Sequence, residues 1–263
     1  MKGIDLFLKK LNYFDKQFEL FINQNNDHLL VAYSELCELI DDYSSFIINF
    51  DNEKHWSNIS QSNEIISLIE NLRTNSSVCV QIIEKYRAFV LEIENEEVTD
   101  YFRNIEDCIE KQFGDVQITS QSKVLLVGSG AFPITLLMVA ERTGAQVFGI
   151  DIDDEAVQLG KHVVNQLGSH LSIQIDKKTV GELTVIKQIS HIIFSSTVSS
   201  KYDILEQLYD LTNKDVLIAM RYGNGLKSLF NYPKQKVDAT KWRIMENIKH
   251  PQSVFDVILY QKV

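Results

Sequence analysis

The first half of the chain has apolar residues at intervals of three and four. The stretches are LFLKKLNYFDKQFELFI at 6–22, LCELIDDYSSFI at 36–47, SNEIISLIENL at 62–72 and VCVQIIEKYRAFVLEI at 78–93. This spacing places the apolar side chains of each stretch, Leu6 among them, on one face of a helix. It predicts four amphipathic helices that pack together through these faces.

The chain up to about residue 115 lacks the residues that interrupt helices, since it has no proline and only two glycines. The acidic stretch EIENEEVTD at 92–100 is interpreted as a solvated connection. The stretch YFRNIEDCIEKQFG at 101–114 predicts one more helix, which Gly114 ends. We therefore predict a helical domain over residues 1–115, which binds or covers the substrate, and a second domain over residues 116–263.

From about residue 116 the pattern changes to short apolar runs separated by amphipathic helices. Seven runs have the composition of strands: KVLLVG (123–128), AQVFGID (145–151), LSIQI (171–175), HIIFSST (191–197), VLIAMRY (216–222), KWRIMENI (241–248) and SVFDVILYQK (253–262). A helix is predicted between each of the first five, which makes those strands parallel and covered on both faces. Only a turn at His250 and Pro251 separates the last two. The predicted fold is α/β: an all-helical domain, then a Rossmann-like domain of five parallel strands plus a C-terminal antiparallel hairpin.

Composition and charge exclude several partners. Over 263 residues the formal net charge is -10, and the acids repel nucleic-acid backbones and anionic membranes. The N-terminal stretch carries charges throughout, so it predicts neither a secretory signal nor a membrane span, and we expect a cytoplasmic protein. Three scattered cysteines and six scattered histidines have no metal-ligand spacing, so no metal is expected.

The segment VLLVGSGAFPITL at 124–136 has the form of a nucleotide-binding turn between a strand and a helix. Gly128 and Gly130 let the backbone turn tightly and approach a ligand. Pro133 replaces the third glycine of a dinucleotide motif, in the first turn of the helix, and its missing N–H removes part of the amide array that would hold two phosphates. A ligand without phosphates, such as S-adenosylmethionine (SAM), suits this loop better than NAD.

An acid ends the second predicted strand, where such folds bind the hydroxyls of a ribose. This acid is Asp151, and Asp153 and Asp154 after it are interpreted as helix N-caps. From these residues alone three functions remain open. They are a SAM-dependent methyltransferase, an NAD oxidoreductase (which Pro133 and the hairpin count against) and a non-catalytic scaffold whose glycine turn binds nothing.

Six segments match one known family when they are taken together: LLVGSGAFPITL, GIDID, YFRNIEDCIEKQFG, HIIFSST, ILEQLYDLTN and AMRYGNGLKSLFNYP. They resemble the nicotianamine synthase-like family, in its bacterial branch of staphylopine-type D-histidine 2-aminobutanoyltransferases. The resemblance covers nearly the whole chain. It implies that SAM is a co-substrate whose 3-amino-3-carboxypropyl (aminobutanoyl) group moves to the α-amine of histidine, while 5'-methylthioadenosine leaves.

The resemblance also implies catalytic residues. Glu84 matches the family glutamate that takes the proton of the acceptor amine, although the spacing alone favours a pair with Arg87 on a solvated helix face. Tyr101 lies near the place of a family tyrosine, which Asn104 occupies here. Arg221 follows the fifth predicted strand, where it can bind a carboxylate with two hydrogen bonds.

The residues implied to bind SAM are Gly128, Ser129, Gly130, Pro133, Asp151, Asp176, Ser195 and Arg221. Asp151 would bind the ribose, Ser195 the amino-acid tail and Asp176 the adenine. In the family the acid that meets adenine directly follows the third strand, a place that Lys177 holds here. Tyr222 and the Asn231-Tyr232-Pro233 turn are expected to line the same pocket.

The product implied by the resemblance is a metallophore precursor that a separate opine-type dehydrogenase completes. Two alternatives stay open: an ordinary SAM-dependent small-molecule methyltransferase, and a nicotianamine synthase-like enzyme with another amine acceptor. The sequence does not distinguish D- from L-histidine, because only the shape of the pocket separates them. No nucleic-acid or membrane partner is expected, and a homodimer is left open.

Overall fold

The computed structural model describes residues 2–23, 29–59, 62–91 and 118–263. The described part of the first half contains four helices: α1 (Lys2–Asn23), α2 (Leu29–Ile48), α3 (Phe50–Trp56) and α4 (Asn63–Val90). The acidic connection and the helix predicted over 92–114, with Tyr101 and Asn104, lie outside the described residues.

Helix α4 is one continuous helix where the sequence pattern predicts two. The side chain of Ser62 caps its N-terminus by accepting a hydrogen bond from the backbone N–H of Ile65. The stretch RTNSS at 73–77, between the two predicted helices, contains neither glycine nor proline, so the helix continues through it. Its 28 residues let one helix contact both α1 and the second half of the chain.

The buried face of α1 follows the helical period and is formed by Phe7, Leu11, Phe14 and Phe18. The prediction that Leu6 belongs to this face is wrong, since its side chain is 70% exposed. One residue along a helix is a rotation of about 100°, which turns Leu6 away from the face of Phe7. The ring of Phe14 lies 4.9 Å from that of Tyr43 on α2, so aromatic contacts join the two helices.

The second half is a seven-stranded sheet with three α-helices. The strands are β1 (Lys123–Val127), β2 (Gln146–Asp151), β3 (Ile173–Lys177), β4 (His191–Phe194), β5 (Leu217–Tyr222), β6 (Trp242–Ile248) and β7 (Asp256–Lys262). The helices are α5 (Ile134–Thr143), α6 (Asp154–Leu167) and α7 (Lys201–Leu211). The strand order is β3-β2-β1-β4-β5-β7-β6, with β1 to β5 parallel and β7 antiparallel to both neighbours. The predicted fold class, with its five parallel strands and C-terminal hairpin, is confirmed.

The connection from β3 to β4 differs from the predicted helix. It contains two short 3-10 helices, Val180–Glu182 and Ile186–Gln188. Gly181 and several β-branched residues in this stretch disfavour an α-helix. Val180 and Ile186 are nevertheless buried, so the connection still covers the sheet.

Different elements cover the two faces of the sheet. On one face, strand residues such as Val124 and Ile193 form a single cluster with α5, α6 and the buried residues of α1, α2 and α4. On the other face, Leu125 and Ile192 pack with α7 and the two 3-10 helices. The helical half therefore shares a hydrophobic core with one face of the sheet. The domain division at residue 115 remains a prediction.

Two hydrogen bonds tie the helical half to the segment that follows β5. The hydroxyl of Tyr43 donates to the carbonyl of Leu229 at 2.8 Å, and Nε of Arg73 on α4 donates to the carbonyl of Ser228 at 2.8 Å. Both acceptors belong to the 3-10 helix Gly225–Leu229. Among the described residues, no helix has both the length and the apolar character that crossing a membrane requires.

A buried ion-pair cluster holds the C-terminal hairpin. Asp256 is 4% exposed and accepts hydrogen bonds from Nζ of Lys227 at 2.6 Å, Nζ of Lys249 at 2.7 Å and the backbone N–H of His250 at 3.1 Å. Desolvation alone would raise the pKa of Asp256, but the hydrogen bonds of the two lysines, the charge of Lys227 and the N–H of His250 lower it below its ordinary value.

We predict that Asp256→Asn lowers the free energy of unfolding by about 2 kcal/mol, less than for a fully buried pair because Lys249 is half exposed. The pKa of Asp256 is lower in the folded state than in the unfolded state, so its ion pairs stabilise the parent fully at any pH above the unfolded pKa. This contribution is lost as the pH falls through the folded pKa. Urea unfolding at neutral and at acidic pH measures both effects. The exposed pair of Asp51 and Lys54 supplies the control, since Asp51→Asn should leave the midpoint unchanged. Equal midpoints for the two variants would contradict the prediction.

Candidate active site

A pocket of about 520 Å³ opens at the carboxyl ends of β1, β2, β4 and β5. Open α/β sheets bind ligands at this edge. The loops after these strands form one wall, and α4 supplies the other wall with Ser77, Val80, Gln81 and Glu84, which share one side of the helix. The volume is in the range of small-molecule sites.

The glycine turn between β1 and α5 forms the floor of this pocket. Gly128 has φ of 80° and Gly130 has φ of 69°, both in the left-handed region that glycine tolerates best. The backbone N–H groups of Gly128 and Ser129 both donate to the carbonyl of Ile150, at 2.9 and 3.1 Å. A Cβ atom on Gly128 would lie 2.6 Å from Cγ2 of Val198, so the turn is closely packed as well as tight.

Pro133 is the N-cap of α5, one residue before the first turn in which the sequence placed it. Its carbonyl accepts hydrogen bonds from the backbone N–H groups of Leu136 and Leu137. Because a proline has no N–H, this end of the helix offers fewer donors to an anion than a glycine-rich turn does. The loop is therefore poorly suited to a pyrophosphate.

Asp151 accepts backbone N–H groups with both carboxylate oxygens. Its Oδ2 accepts from Gly130 at 2.9 Å, and its Oδ1 accepts from Ile152 at 2.8 Å and Asp153 at 3.1 Å. These bonds fix the carboxylate at the end of β2, on the pocket wall. Oδ2 accepts only one of these bonds and keeps acceptor capacity, so Asp151 is placed to accept a hydroxyl hydrogen of a ribose.

Glu84 reaches the glycine turn from α4, on the opposite side of the pocket. Its carboxylate accepts a hydrogen bond from the backbone N–H of Ala131. A Cβ atom on Gly130 would overlap Oε2 of Glu84. The missing side chain at Gly130 therefore lets a carboxylate of the helical half lie on a loop of the sheet.

The surroundings of Glu84 favour its neutral form, although the residue keeps some accessible surface as part of the pocket wall. Desolvation raises its pKa to about 8; the negative charge of Asp151 acts in the same direction, while the Ala131 hydrogen bond and the positive charge of Arg87 oppose it. Arg87 is itself buried, with its guanidinium 4.1 Å from the centre of the Phe132 ring. The arrangement differs from an ion pair on a solvated helix face. A carboxyl group of this pKa is suited to exchanging a proton with an α-amine, whose pKa is about 8.

Arg221 lies at the carboxyl end of β5, is 3% exposed and lines the pocket. Its Nη2 donates to Oγ1 of Thr135 at 3.1 Å, and its guanidinium carbon lies 5.1 Å from the centre of the Phe255 ring. Thr135 belongs to the first turn of α5. The planar guanidinium is thus held between the helix that follows the glycine turn and the segment that precedes β7, in a form suited to binding a carboxylate.

Ser195 follows β4 and supports the glycine turn. Its hydroxyl donates to the carbonyl of Gly128 at 2.7 Å, and its backbone N–H donates to the carbonyl of Val127 at 3.0 Å. The hydroxyl oxygen can still accept a hydrogen bond from a ligand amine. Ser195 and Ser129 both line the pocket, together with the glycines and Pro133.

Asp176 stands apart from these residues, because it does not line the pocket. Its carboxylate accepts hydrogen bonds from Nε2 of Gln174 at 2.7 Å and from Nζ of Lys178 at 3.2 Å. Lys177 forms an ion pair with Asp154 at 3.5 Å. The contact of Asp176 with adenine remains a prediction, as does the role of Tyr101, which lies outside the described residues.

Tyr222 and Asn231 serve the fold, and the expectation that they line the pocket does not hold for the described residues. The hydroxyl of Tyr222 donates to Oδ1 of Asn247 on the hairpin at 2.6 Å. Asn231 is fully buried, and its Nδ2 donates to the carbonyl of Val254 at 2.6 Å. Both side chains hold the hairpin and its flanking segments to the rest of the sheet.

The pocket is also lined by residues that were not identified from the sequence, among them Lys178, Thr179 and Lys85. Lys178 and Thr179 follow β3, and the rule that ligands bind beyond the carboxyl ends of parallel strands could have identified them. Lys85 forms ion pairs with Asp153 at 2.8 Å and Glu155 at 2.6 Å, and so joins α4 to the start of α6. The sequence carries no signal for a contact between residues so far apart in the chain.

Comparisons with known proteins identify relatives over most of the chain, although no model of a protein family matches it. The chain is 33% identical over 187 residues to an L-histidine 2-aminobutanoyltransferase of Yersinia pestis, and the match covers 70% of this chain and 69% of the relative. It is 26% identical over 232 residues to an L-histidine 2-aminobutanoyltransferase of Pseudomonas aeruginosa, with 88% of each chain covered.

Solved structures of the nicotianamine synthase MtNAS have the same fold. A substituted form of MtNAS has a TM-score of 0.76 and 13% identity, with 97% of each chain covered. MtNAS in complex with MTA and tNA has a TM-score of 0.75 and 14% identity, with 97% of this chain and 98% of that chain covered. At this identity the likeness establishes the fold, including the helical half.

We predict that Gly130→Ala disturbs Glu84 as well as the turn. The added Cβ would overlap the Glu84 carboxylate, and alanine disfavours the left-handed φ. Gly144→Ala is the matched control, because Gly144 has φ of 68° and its added Cβ would make only an ordinary contact, 3.4 Å from Cβ of Ser120. Gly130→Ala should therefore lower the thermal midpoint more than Gly144→Ala does.

In a chain that also carries Glu84→Ala, Gly130→Ala should lower the thermal midpoint less than it does in the parent, since the overlapping carboxylate is gone. Differential scanning fluorimetry of the single and double variants measures it. If the two glycine variants lose equal stability and Glu84→Ala restores none, the Glu84 carboxylate does not lie against residue 130.

Proposed function

The chain belongs to the histidine 2-aminobutanoyltransferase family, and from this premise we propose that it transfers the 3-amino-3-carboxypropyl group of SAM to the α-amine of histidine, with release of 5'-methylthioadenosine. One observation carries the proposal: Asp151 and Glu84 accept hydrogen bonds from neighbouring amides of a glycine turn that is poorly suited to phosphate. One carboxylate can bind the nucleoside while the other faces the reacting amine.

The transfer is a substitution at carbon. The lone pair of the neutral amine forms the new N–C bond at the methylene carbon that joins sulfur to the amino-acid part of SAM. The C–S bond breaks, and its electron pair returns to sulfur, which leaves in the neutral thioether. One proton is lost from the amine, and Glu84 accepts it, as its raised pKa allows.

Selection of the reacting carbon depends on orientation, because a sulfonium activates all three of its neighbouring carbons. Asp151 would hold the ribose at the end of β2, and Ser195 would bind the amino-acid tail beside the turn. Arg221 would bind a carboxylate of SAM or of histidine. The carbon on the amino-acid side would then lie near the wall of the pocket that carries Glu84.

We propose D-histidine as the preferred acceptor, in keeping with the resemblance to the staphylopine-type branch. The two curated relatives are named for L-histidine, which makes the L-enantiomer the competing acceptor. Both enantiomers offer the same groups, so the preference must arise from the shape of the pocket. The product would pass, in the cytoplasm, to a separate opine-type dehydrogenase that completes a metallophore.

Incubation of the purified chain with SAM and a panel of D- and L-amino acids, followed by mass spectrometry, tests the proposal. We expect methylthioadenosine and a histidine adduct, formed faster from D- than from L-histidine. S-adenosylhomocysteine would instead indicate an ordinary methyltransferase, and methylthioadenosine with another amine would indicate a different acceptor. Asp151→Ala is the control, because it should remain folded and bind SAM weakly.

We predict that Glu84→Gln leaves the Kd of SAM nearly unchanged and lowers kcat by roughly 10²-fold, a usual contribution of a general base. Glutamine keeps the size of the side chain but cannot take the proton. The deficit should shrink as the pH rises past about 8, where the α-amine is already neutral. Steady-state kinetics between pH 6 and pH 9 measure the ratio of the parent kcat to the variant kcat. Full activity of the variant at neutral pH would show that Glu84 takes no part in the reaction.

The same variant has a second signature that does not require activity. A carboxyl whose folded pKa is raised to about 8 makes the folded state bind an extra proton, so the parent loses stability as the pH rises from the unfolded value to the folded one. Glutamine cannot ionise and avoids this loss. The thermal midpoint of Glu84→Gln minus that of the parent should therefore be larger at pH 9 than at pH 5.

A further inference from the structure

We propose that Lys201 is a positioning residue for the transfer, whose buried ammonium group joins the carboxyl ends of β4 and β5 and thereby fixes Arg221 at the pocket. This inference rests on the proposed function, in which Arg221 binds a carboxylate of a substrate. Lys201 itself does not line the pocket.

The geometry is a bridge between two walls of the pocket. Lys201 is the first residue of α7 and is 0% exposed. Its Nζ donates to the carbonyl of Ser196 at 2.9 Å and to the carbonyl of Arg221 at 2.8 Å. Ser196 and Arg221 both line the pocket, so one side chain holds the loop after β4 and the end of β5 at a fixed separation.

The site of this lysine is costly for a cation. Helix N-termini disfavour positive charge. Among the described residues, Nζ donates to two carbonyls and lies 5.9 Å from the centre of the Tyr232 ring. Desolvation, together with the charges of Arg73 and Arg221, lowers the pKa of Lys201 to about 7. An apolar side chain of similar length would fill this space without that cost. The benefit of the lysine must therefore lie in holding the two carbonyls.

The same contacts extend to the helix that carries Glu84. Arg73 of α4 lies with its guanidinium carbon 5.1 Å from the centre of the Tyr232 ring, and its Nε bonds the carbonyl of Ser228. Tyr232 thus contacts a cation from α4 and the ammonium of Lys201. The contacts connect the element that supplies the proposed base to the strand that supplies the carboxylate-binding arginine.

The side chain of Arg221 has little freedom to compensate for a shift of its backbone. Its guanidinium is already engaged by Thr135 and stacked on Phe255. A displacement of about 1 Å at a substrate-binding group can lower a rate on the order of 10²-fold. Removing the Lys201 bridge should therefore act on the reaction through Arg221.

The test compares Lys201→Met, Arg221→Lys and the double variant. Lys201→Met should lower kcat/KM on the order of 10²-fold, while its thermal midpoint falls only slightly, because the loss of two hydrogen bonds is offset by the removal of a buried charge. Calorimetric titration with 5'-methylthioadenosine, which has no carboxylate, should give the parent Kd. In the Arg221→Lys background, Lys201→Met should lower kcat/KM by a smaller factor than it does alone, because both changes act through Arg221.

Thr212→Val is the matched control at the other end of α7. Its Oγ1 donates to the carbonyl of Leu208 at 2.6 Å and is buried, so the variant loosens the same helix without touching the pocket. It should keep the parent kinetics. If Lys201→Met does not fold, Lys201→Gln, which keeps a shorter donor, should show a smaller loss with the same dependence on Arg221.

Several outcomes would overturn the proposal. The first is that Lys201→Met or Lys201→Gln has the kinetics of the parent. The second is that the affinity for methylthioadenosine falls in parallel with the rate. The third is that the losses of kcat/KM multiply in the double variant. Failure of the proposed function is distinguished beforehand, because the parent itself would then release no methylthioadenosine with any amino acid.

Discussion

Two neighbouring backbone amides of one glycine turn hold two carboxylates that come from opposite sides of the pocket. The N–H of Gly130 binds Asp151 of the sheet, and the N–H of Ala131 binds Glu84 of α4. The arrangement requires a residue at position 130 that tolerates a left-handed φ and has no Cβ. It also requires that α4 remain packed against the sheet, which the shared hydrophobic core ensures.

The closeness of these carboxylates determines what the pocket can bind. Two negative charges in a desolvated space repel each other, and part of the raised pKa of Glu84 comes from Asp151. An anionic ligand such as a pyrophosphate would add to that repulsion, whereas the sulfonium of SAM relieves it.

Local patterns predicted the strands, the hairpin and the glycine turn, because each depends on neighbours in the chain. Apolar runs bounded by turn residues located all seven strands, whereas the α-helix predicted between β3 and β4 was wrong. The contact of Glu84 with Ala131 could not be derived from spacing, which favoured a pair of Glu84 with Arg87. A buried lysine at the start of α7 was equally hidden, since an amphipathic helix ordinarily exposes its charges. The family resemblance supplied a role for Glu84, and the structure supplied the burial that raises its pKa.

The same geometry explains how the pocket could select one carbon of the sulfonium for the transfer. The residues that would hold the nucleoside, from Gly128 to Asp151, belong to the sheet and do not select which carbon of the sulfonium reacts. That selection requires an acceptor and a base on the side of the amino-acid tail. Here α4 places a carboxyl group directly over the turn, and Arg221 stands at the end of β5. Because orientation alone distinguishes the three activated carbons, the packing of the helical half against the sheet would itself determine the product.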